Sequence, residues 1–141
     1  MEELLRTPLY ARQQELKTKN VSFCGWDMPI QFDGIIAEHE YCRNDVAIFD
    51  TSHMGEFFFN GDIKTSGIND ATTVNIDVLA IGKCKYGFLL NELGGVIDDL
   101  IIYRLSEDEL MIVVNAATRE NDFITINARI NNATLEDRSM E

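Results

Sequence analysis

The sequence predicts an α+β fold, an antiparallel sheet with flanking helices, and three observations carry that expectation. Residues 84–90, 96–105 and 110–115 read as successive strands rich in β-branched and aromatic residues. The links between them, "NELGG" and the acidic tip "SEDE", are hairpin-sized, so neighbouring strands run antiparallel. On either side the apolar spacing turns helical, at 35–43 and from Thr118 to about 131.

In chain order, Thr7-Pro8 reads as an N-cap with proline in the first turn of a helix over roughly 8–19, ended by the polar "KTKN". "SFCGWDMPIQFDG" reads as an aromatic loop, with Gly25, Pro29 and Gly34 as breakers. Ile35, Ile36, His39 and Cys42 fall near one face of the next helix. "VAIFDTSHMGEFFFNGD" reads as two short strands around a bend at Ser52–Gly55, closed by an Asn60-Gly61 turn. Residues 63–80 suit a short helix and a loop. The last helix, capped by Thr118, runs through Phe123, Ile126 and Ile130, and "NNATLEDRSME" reads as linker or frayed end. The expected organisation is a helical extension over 1–45, the main unit over 46–131 and a tail over 132–141.

Composition narrows the function classes. The 141 residues suit one ordinary domain, and 45% hydrophobic with 26% charged residues is a globular balance. A formal net charge of −12 repels phosphate backbones and anionic lipid, so neither nucleic acid nor membrane is an expected partner. No apolar run approaches the ~20 residues of a membrane span, and "MEELLRTPLY" lacks the apolar core of a secretory signal. With three scattered cysteines, Cys24, Cys42 and Cys84, reduced thiols and a cytoplasmic location are expected. His39 and Cys42 share a helical face, but four ligands at a recognised spacing are lacking, so no metal site is expected. No Walker-type loop is present.

"GGVIDDLIIYRL" places two adjacent aspartates in an apolar strand. Strand alternation sends them to opposite faces. Asp99 shares its face with Ile97, Ile101, Tyr103 and Leu105, all uncharged, whereas the face of Asp98 also carries Arg104. Asp99 is therefore expected to point inward and Asp98 to be the solvated or turn-bonded neighbour. Two readings follow: an acid bonded to turn amides after Gly-Gly, or a carboxylate held in apolar surroundings as a base or acceptor for a bound amine. If "SEDE" is the loop, Leu105 faces Leu110 and Asn115 faces Leu100; a one-residue slip sets Asn115 opposite Asp99. Either register brings Asp99 and Asn115 to one end of the sheet.

"TPLY", "FCGWDMPIQF", "GIIAEH", "FDTSHMGEF", "LLNELGGVIDDLIIYR" and "VVNAATREND" occur in this order. Together they resemble the N-terminal part of the aminomethyltransferase (T-protein) family of the glycine cleavage system, over about Thr7 to Asp122. Thr51 stands where that family usually has valine. The resemblance implies the first half of a duplicated folate-binding fold and a chain shorter than the family's members. It implies a reaction in which the aminomethyl carbon passes from the lipoyl arm of the H-protein to tetrahydrofolate as ammonia leaves. It assigns Asp99 as the catalytic acid, with Met54, Tyr86, Val113 and Asn115 joining it in the tetrahydrofolate site. It further implies that this part alone is inactive and exposes sheet edges, so a homodimer imitating the second half is expected. The alternatives are a related folate-binding module or a non-catalytic remnant.

Overall fold

The computed structural model of the chain describes residues 3–141. Its contacts divide into two compact units, one ending at His53 and the other beginning at Met54.

The first unit opens with helix α1, Tyr10–Glu15, shorter than predicted because Lys17 turns into the left-handed region (φ 56°). The segment expected to be a loop is instead an antiparallel hairpin, β1 (Lys19–Phe23) with β2 (Trp26–Gln31). Cys24 (φ 51°) and Gly25 (φ 82°) form its two-residue turn, the double positive φ that matches strand twist in a tight hairpin. Pro29 is tolerated because a two-stranded ribbon has only edge strands. Helix α2 follows at Ile35–Asn44, with His39 and Cys42 exposed. No strand forms over 46–51, contrary to expectation. There the Asp50 carboxylate accepts hydrogen bonds from Thr7 Oγ1 (2.7 Å), Gln13 Nε2 (2.6 Å) and the Ser52 amide (3.0 Å). Burial raises its pKa, but these donors outweigh that and hold it below the ordinary carboxylate value.

The second unit is a five-stranded antiparallel sheet backed by helices, as the sequence predicts. β3 (Gly55–Asn60), β4 (Cys84–Leu90), β5 (Val96–Arg104), β6 (Glu109–Val114) and β7 (Thr134–Asp137) lie in the order β4-β5-β6-β3-β7. The predicted tail is thus a strand: Thr134–Asp137 pairs with Asn60–Phe57 and buries Leu135. Short helix α3 (Ile68–Ala71), a 3-10 turn at Ile76–Val78 and helix α4 (Arg119–Arg129) supply the second layer. Between the layers, Phe57, Phe59, Ile68, Ile76, Leu89, Leu100, Ile102, Ile112 and Ile126 form the core.

Directly opposed residues in an antiparallel sheet share a face, so pairing defines rungs across it. The core-face rung Gly87–Leu100–Val114–Gly55 has glycine at both ends. A Cβ on Gly87 would lie 2.4 Å from Val74 Cγ2, and one on Gly55 would lie 2.6 Å from Val114 Cγ2 and 2.8 Å from Arg119 Cγ. Small residues there let the 73–74 loop and the start of α4 close onto the sheet. Gly87→Ala is expected to lower stability by about 1–3 kcal/mol through overpacking, measurable as an earlier urea midpoint at unchanged slope.

Candidate functional site

The observed register is the slipped alternative. Arg104 pairs with Leu110 and Leu100 with Val114, which sets Asn115 opposite Asp99. Gly55 pairs with Val114 as the terminal pair of β3 and β6, so Met54 and Asn115 are the next residues beyond the paired strands, while Phe88 pairs with Asp99 on the other side. Phe88 and Asp99 thus form a rung at the end of the sheet, with Asn115 hydrogen-bonded to Asp99 and Met54 one residue before β3 at the same end. Two residues along lies Tyr86–Ile101–Val113–Glu56. Rungs two apart share a face, so Tyr86 and Val113 lie on the face of Asp99, Asn115 is bonded to Asp99, and Met54 stands one residue before β3 at the same end of the sheet.

The expected orientation of the two acids is reversed. Asp98, with Leu100 and Ile102, lies on the core face and is 8% exposed; Asp99 lies half-buried on the opposite, open face. Arg104 made the Asp98 face look solvated, yet its guanidinium donates to the Ile76 (3.2 Å) and Leu79 (2.9 Å) carbonyls at the core's margin. Charge on a strand face was a poor guide because this arginine is matched to backbone oxygens.

Asp98 is satisfied by the "VVNAATREND" segment. Its Oδ2 accepts from the Asn115 amide (3.1 Å) and Thr118 Oγ1 (2.8 Å), and its Oδ1 from Asn115 Nδ2 (2.9 Å). These donors hold Asp98 below its ordinary pKa although burial pushes the other way. Thr118 stands at the start of α4 but makes no side-chain capping bond; its hydroxyl is committed to Asp98 instead. Asn115 Nδ2 also donates to Asp99 Oδ1 (3.1 Å), so one amide nitrogen joins an acid on the core face to an acid on the open face.

On that open face Tyr86, 54% exposed, meets Phe88 edge-to-face at 5.3 Å. Its phenol is pushed above the ordinary value, first by desolvation and then by the charge of Asp99. A separate cleft of about 290 Å³ lies between Asp70, Thr73, Asn91 and Arg129. Its one cation is already used, Arg129 donating to the Ala71 (3.0 Å) and Leu90 (2.6 Å) carbonyls. No group of three metal-ligating side chains occurs among the described residues, and no helix among them is long and apolar enough to cross a membrane.

Sequence reasoning passed over Asp98, Thr118 and Asp122 as site-supporting residues. Their signal lay in the spacing of Asn115, Thr118 and Asp122, which carries one face from the end of a strand into the first turn of a helix.

The geometry defines a two-layer α+β domain with one open sheet face bearing a carboxylate among aromatic and apolar side chains. The model of the GCVT N-terminal domain family matches residues 9–141, and the chain belongs to that family. It is 45% identical over 123 residues to an aminomethyltransferase of Listeria monocytogenes serotype 4b (strain CLIP80459), covering 87% of this chain and 34% of that protein. It is 44% identical over 131 residues to the aminomethyltransferase of Thermotoga sp. (strain RQ2), covering 93% of this chain and 36% of that one. In structure it resembles glycine cleavage system aminomethyltransferase T from Bartonella henselae, with a TM-score of 0.86 and 33% identity over 97% of this chain and 39% of that chain. The chain thus spans about a third of the length of the curated relatives it matches.

Asp122, in the first turn of α4, is fully buried, and burial followed by contact with Asp98 pushes its carboxyl up to about 7. Between the unfolded value of about 3.9 and that value the folded chain holds the extra proton. Its contribution is therefore complete at acid pH and lost as pH rises to neutrality. The Asp98 contribution runs the other way and is lost only as pH falls through its lowered value. Urea unfolding from pH 4 to pH 7, about the window set by these values, is expected to show stability declining more steeply in the wild type than in Asp122→Asn.

Proposed function

We propose that this chain is the folate-binding N-terminal part of a tetrahydrofolate-dependent aminomethyltransferase. The activity proposed for the whole protein moves the aminomethyl carbon from the lipoyl arm of the H-protein to tetrahydrofolate, with release of ammonia. The observation that carries the reading is the placing of Asp99, Tyr86 and Val113 on two neighbouring rungs of one open sheet face, with Asn115 bonded to Asp99 and Met54 one residue before β3 at the same end.

The residues present suit a flat, amine-bearing ring. Tyr86 and Phe88 offer aromatic surface, Met54 and Val113 apolar contact, and Asp99 a carboxylate to accept from a ring N–H. Asn115 spends Nδ2 on the two aspartates, which leaves Oδ1 as the atom it can offer, so it receives a hydrogen bond from a ligand rather than giving one. Bound tetrahydrofolate would supply the nitrogen that takes up the one-carbon unit. Asp99 is the group assigned to orient that amine and accept its hydrogen bond.

An aromatic, half-open face on a free-edged sheet favours cover by further protein. β4 is an outermost strand, and Tyr86, Phe88 and Val96 are exposed. For the 141 residues alone that cover is a second copy of the chain.

Calorimetric titration of the chain with tetrahydrofolate is expected to give binding that Asp99→Asn abolishes; no binding would favour a non-catalytic remnant. Ammonia release from aminomethylated carrier protein is expected to be nil for this part alone, and turnover would overturn its assignment as an incomplete enzyme. Light scattering at micromolar concentration is expected to report twice the chain mass, and a monomer would refute the second copy.

A further inference from the structure

The folate reading gives no task to the acid lying beneath the site. Asp122 is fully enclosed, and neither carboxyl oxygen receives a hydrogen bond from the described residues. It lies against Asp98 and Thr118. Two carboxyls in contact cannot both stay ionised without a cation between them. The nearest basic residue on α4, Arg119, turns to Asp137 on β7 instead (3.5 Å). Thr118 Oγ1 has one hydrogen to share between Asp98 Oδ2 (2.8 Å) and the Asn115 carbonyl (3.3 Å), and Asp122 receives no bond from it.

One proton resolves the conflict. A neutral Asp122 has an O–H to offer Asp98, which already accepts from the Asn115 amide, Asn115 Nδ2 and Thr118 Oγ1. The fourth donor fills the roughly four acceptor positions of a carboxylate. Asn115 is gripped at two of its nitrogens by Asp98, so its side chain has one orientation in which Nδ2 also reaches Asp99 Oδ1 (3.1 Å). The groups around this system are Asp98 and Asp99 of β5, Tyr86 of β4 against Asp99, and Thr118 and Arg119 of α4.

We propose that Asp122, Asp98 and Thr118 are positioning residues: an acid pair sharing one buried proton which, with the threonine, aims the Asn115 carboxamide at Asp99 and so fixes the carboxylate that faces the ligand. None of the three touches the ligand. Removing the shared proton leaves two adjacent anions, which separate and release Asn115. The geometry stands without a ligand; the role of Asp99 toward an amine rests on the folate reading.

The test uses the isotopically labelled 141-residue chain. Carboxyl carbon signals of Asp98 and Asp122 and the side-chain amide signals of Asn115 are followed by NMR from about pH 5 to about pH 9, a range that spans a carboxyl raised to neutrality. The expected result is one common midpoint near neutrality for Asp122 and both Asn115 amide protons. That midpoint should vanish from Asn115 in Asp122→Asn and move in Thr118→Val. Asn115 signals that ignore pH in the wild type, or titrate unchanged in Asp122→Asn, overturn the proposal. Because the wild-type titration is itself decisive, poor folding of a variant does not rescue the idea.

A second arm repeats the tetrahydrofolate titration across the same range. Wild-type affinity is expected to fall several-fold through the common midpoint, while Asp122→Asn shows a flat profile. Coupled NMR titration without folate binding at any pH would sink the folate reading and leave the positioning system standing. Binding that depends on Asp99 but shows no coupled titration would do the reverse.

Discussion

Successive residues of a strand cannot share an environment, and the end of this sheet is organised by that constraint. Asp98 is driven to the core face, where it must find donors, and Asp99 to the open face, where it can serve a ligand. The donors come from the segment leaving β6: the amide and side chain of Asn115 and the hydroxyl of Thr118. Satisfying Asp98 therefore fixes how the chain turns from β6 into α4. That turn sets Asn115 across from Asp99, and Arg119 comes down against Gly55. Leaving a buried carboxylate unsatisfied would cost about 1–3 kcal/mol or more, so the turn is not free to vary.

Much of this was legible in the residues, with a physical reason for each failure. The strands predicted over 84–90, 96–105 and 110–115 form to within one residue at each end, because apolar alternation runs between unmistakable turn residues. The hairpin at 19–31 is hard to see in the sequence because Gly25 and Pro29 look like breakers, when one belongs to the turn and the other to an edge strand. The strand at 134–137 was missed because four residues with one buried leucine carry almost no pattern; it exists through pairing with β3. The 46–51 segment looked like a strand on composition but has no partner to pair with among the described residues.

Asp99 was singled out by the sequence for a reason the structure reverses. Alternation correctly parts the two acids, but an uncharged face is not thereby the interior. The inward set is Asp98, Leu100 and Ile102, and Arg104 sits among them by capping the carbonyls of Ile76 and Leu79. An open face lined by Ile97, Ile101 and Tyr103 looks like a core in sequence because it too is apolar. Single-sequence periodicity gives two faces; which one meets the helices is decided by the rest of the chain.

Asn115 gives this end of the sheet a chemical weakness that a steric view would not reveal. An amide and a carboxylate have nearly the same shape, and asparagine is among the residues that convert thermally from one to the other. That change at Asn115 would leave the packing intact while replacing two donated hydrogen bonds with a third negative charge between Asp98 and Asp99. A backbone unaltered in outline would then hold mutually repelling acids at its most constrained turn, so ageing of this one side chain would undo the arrangement without removing an atom of bulk.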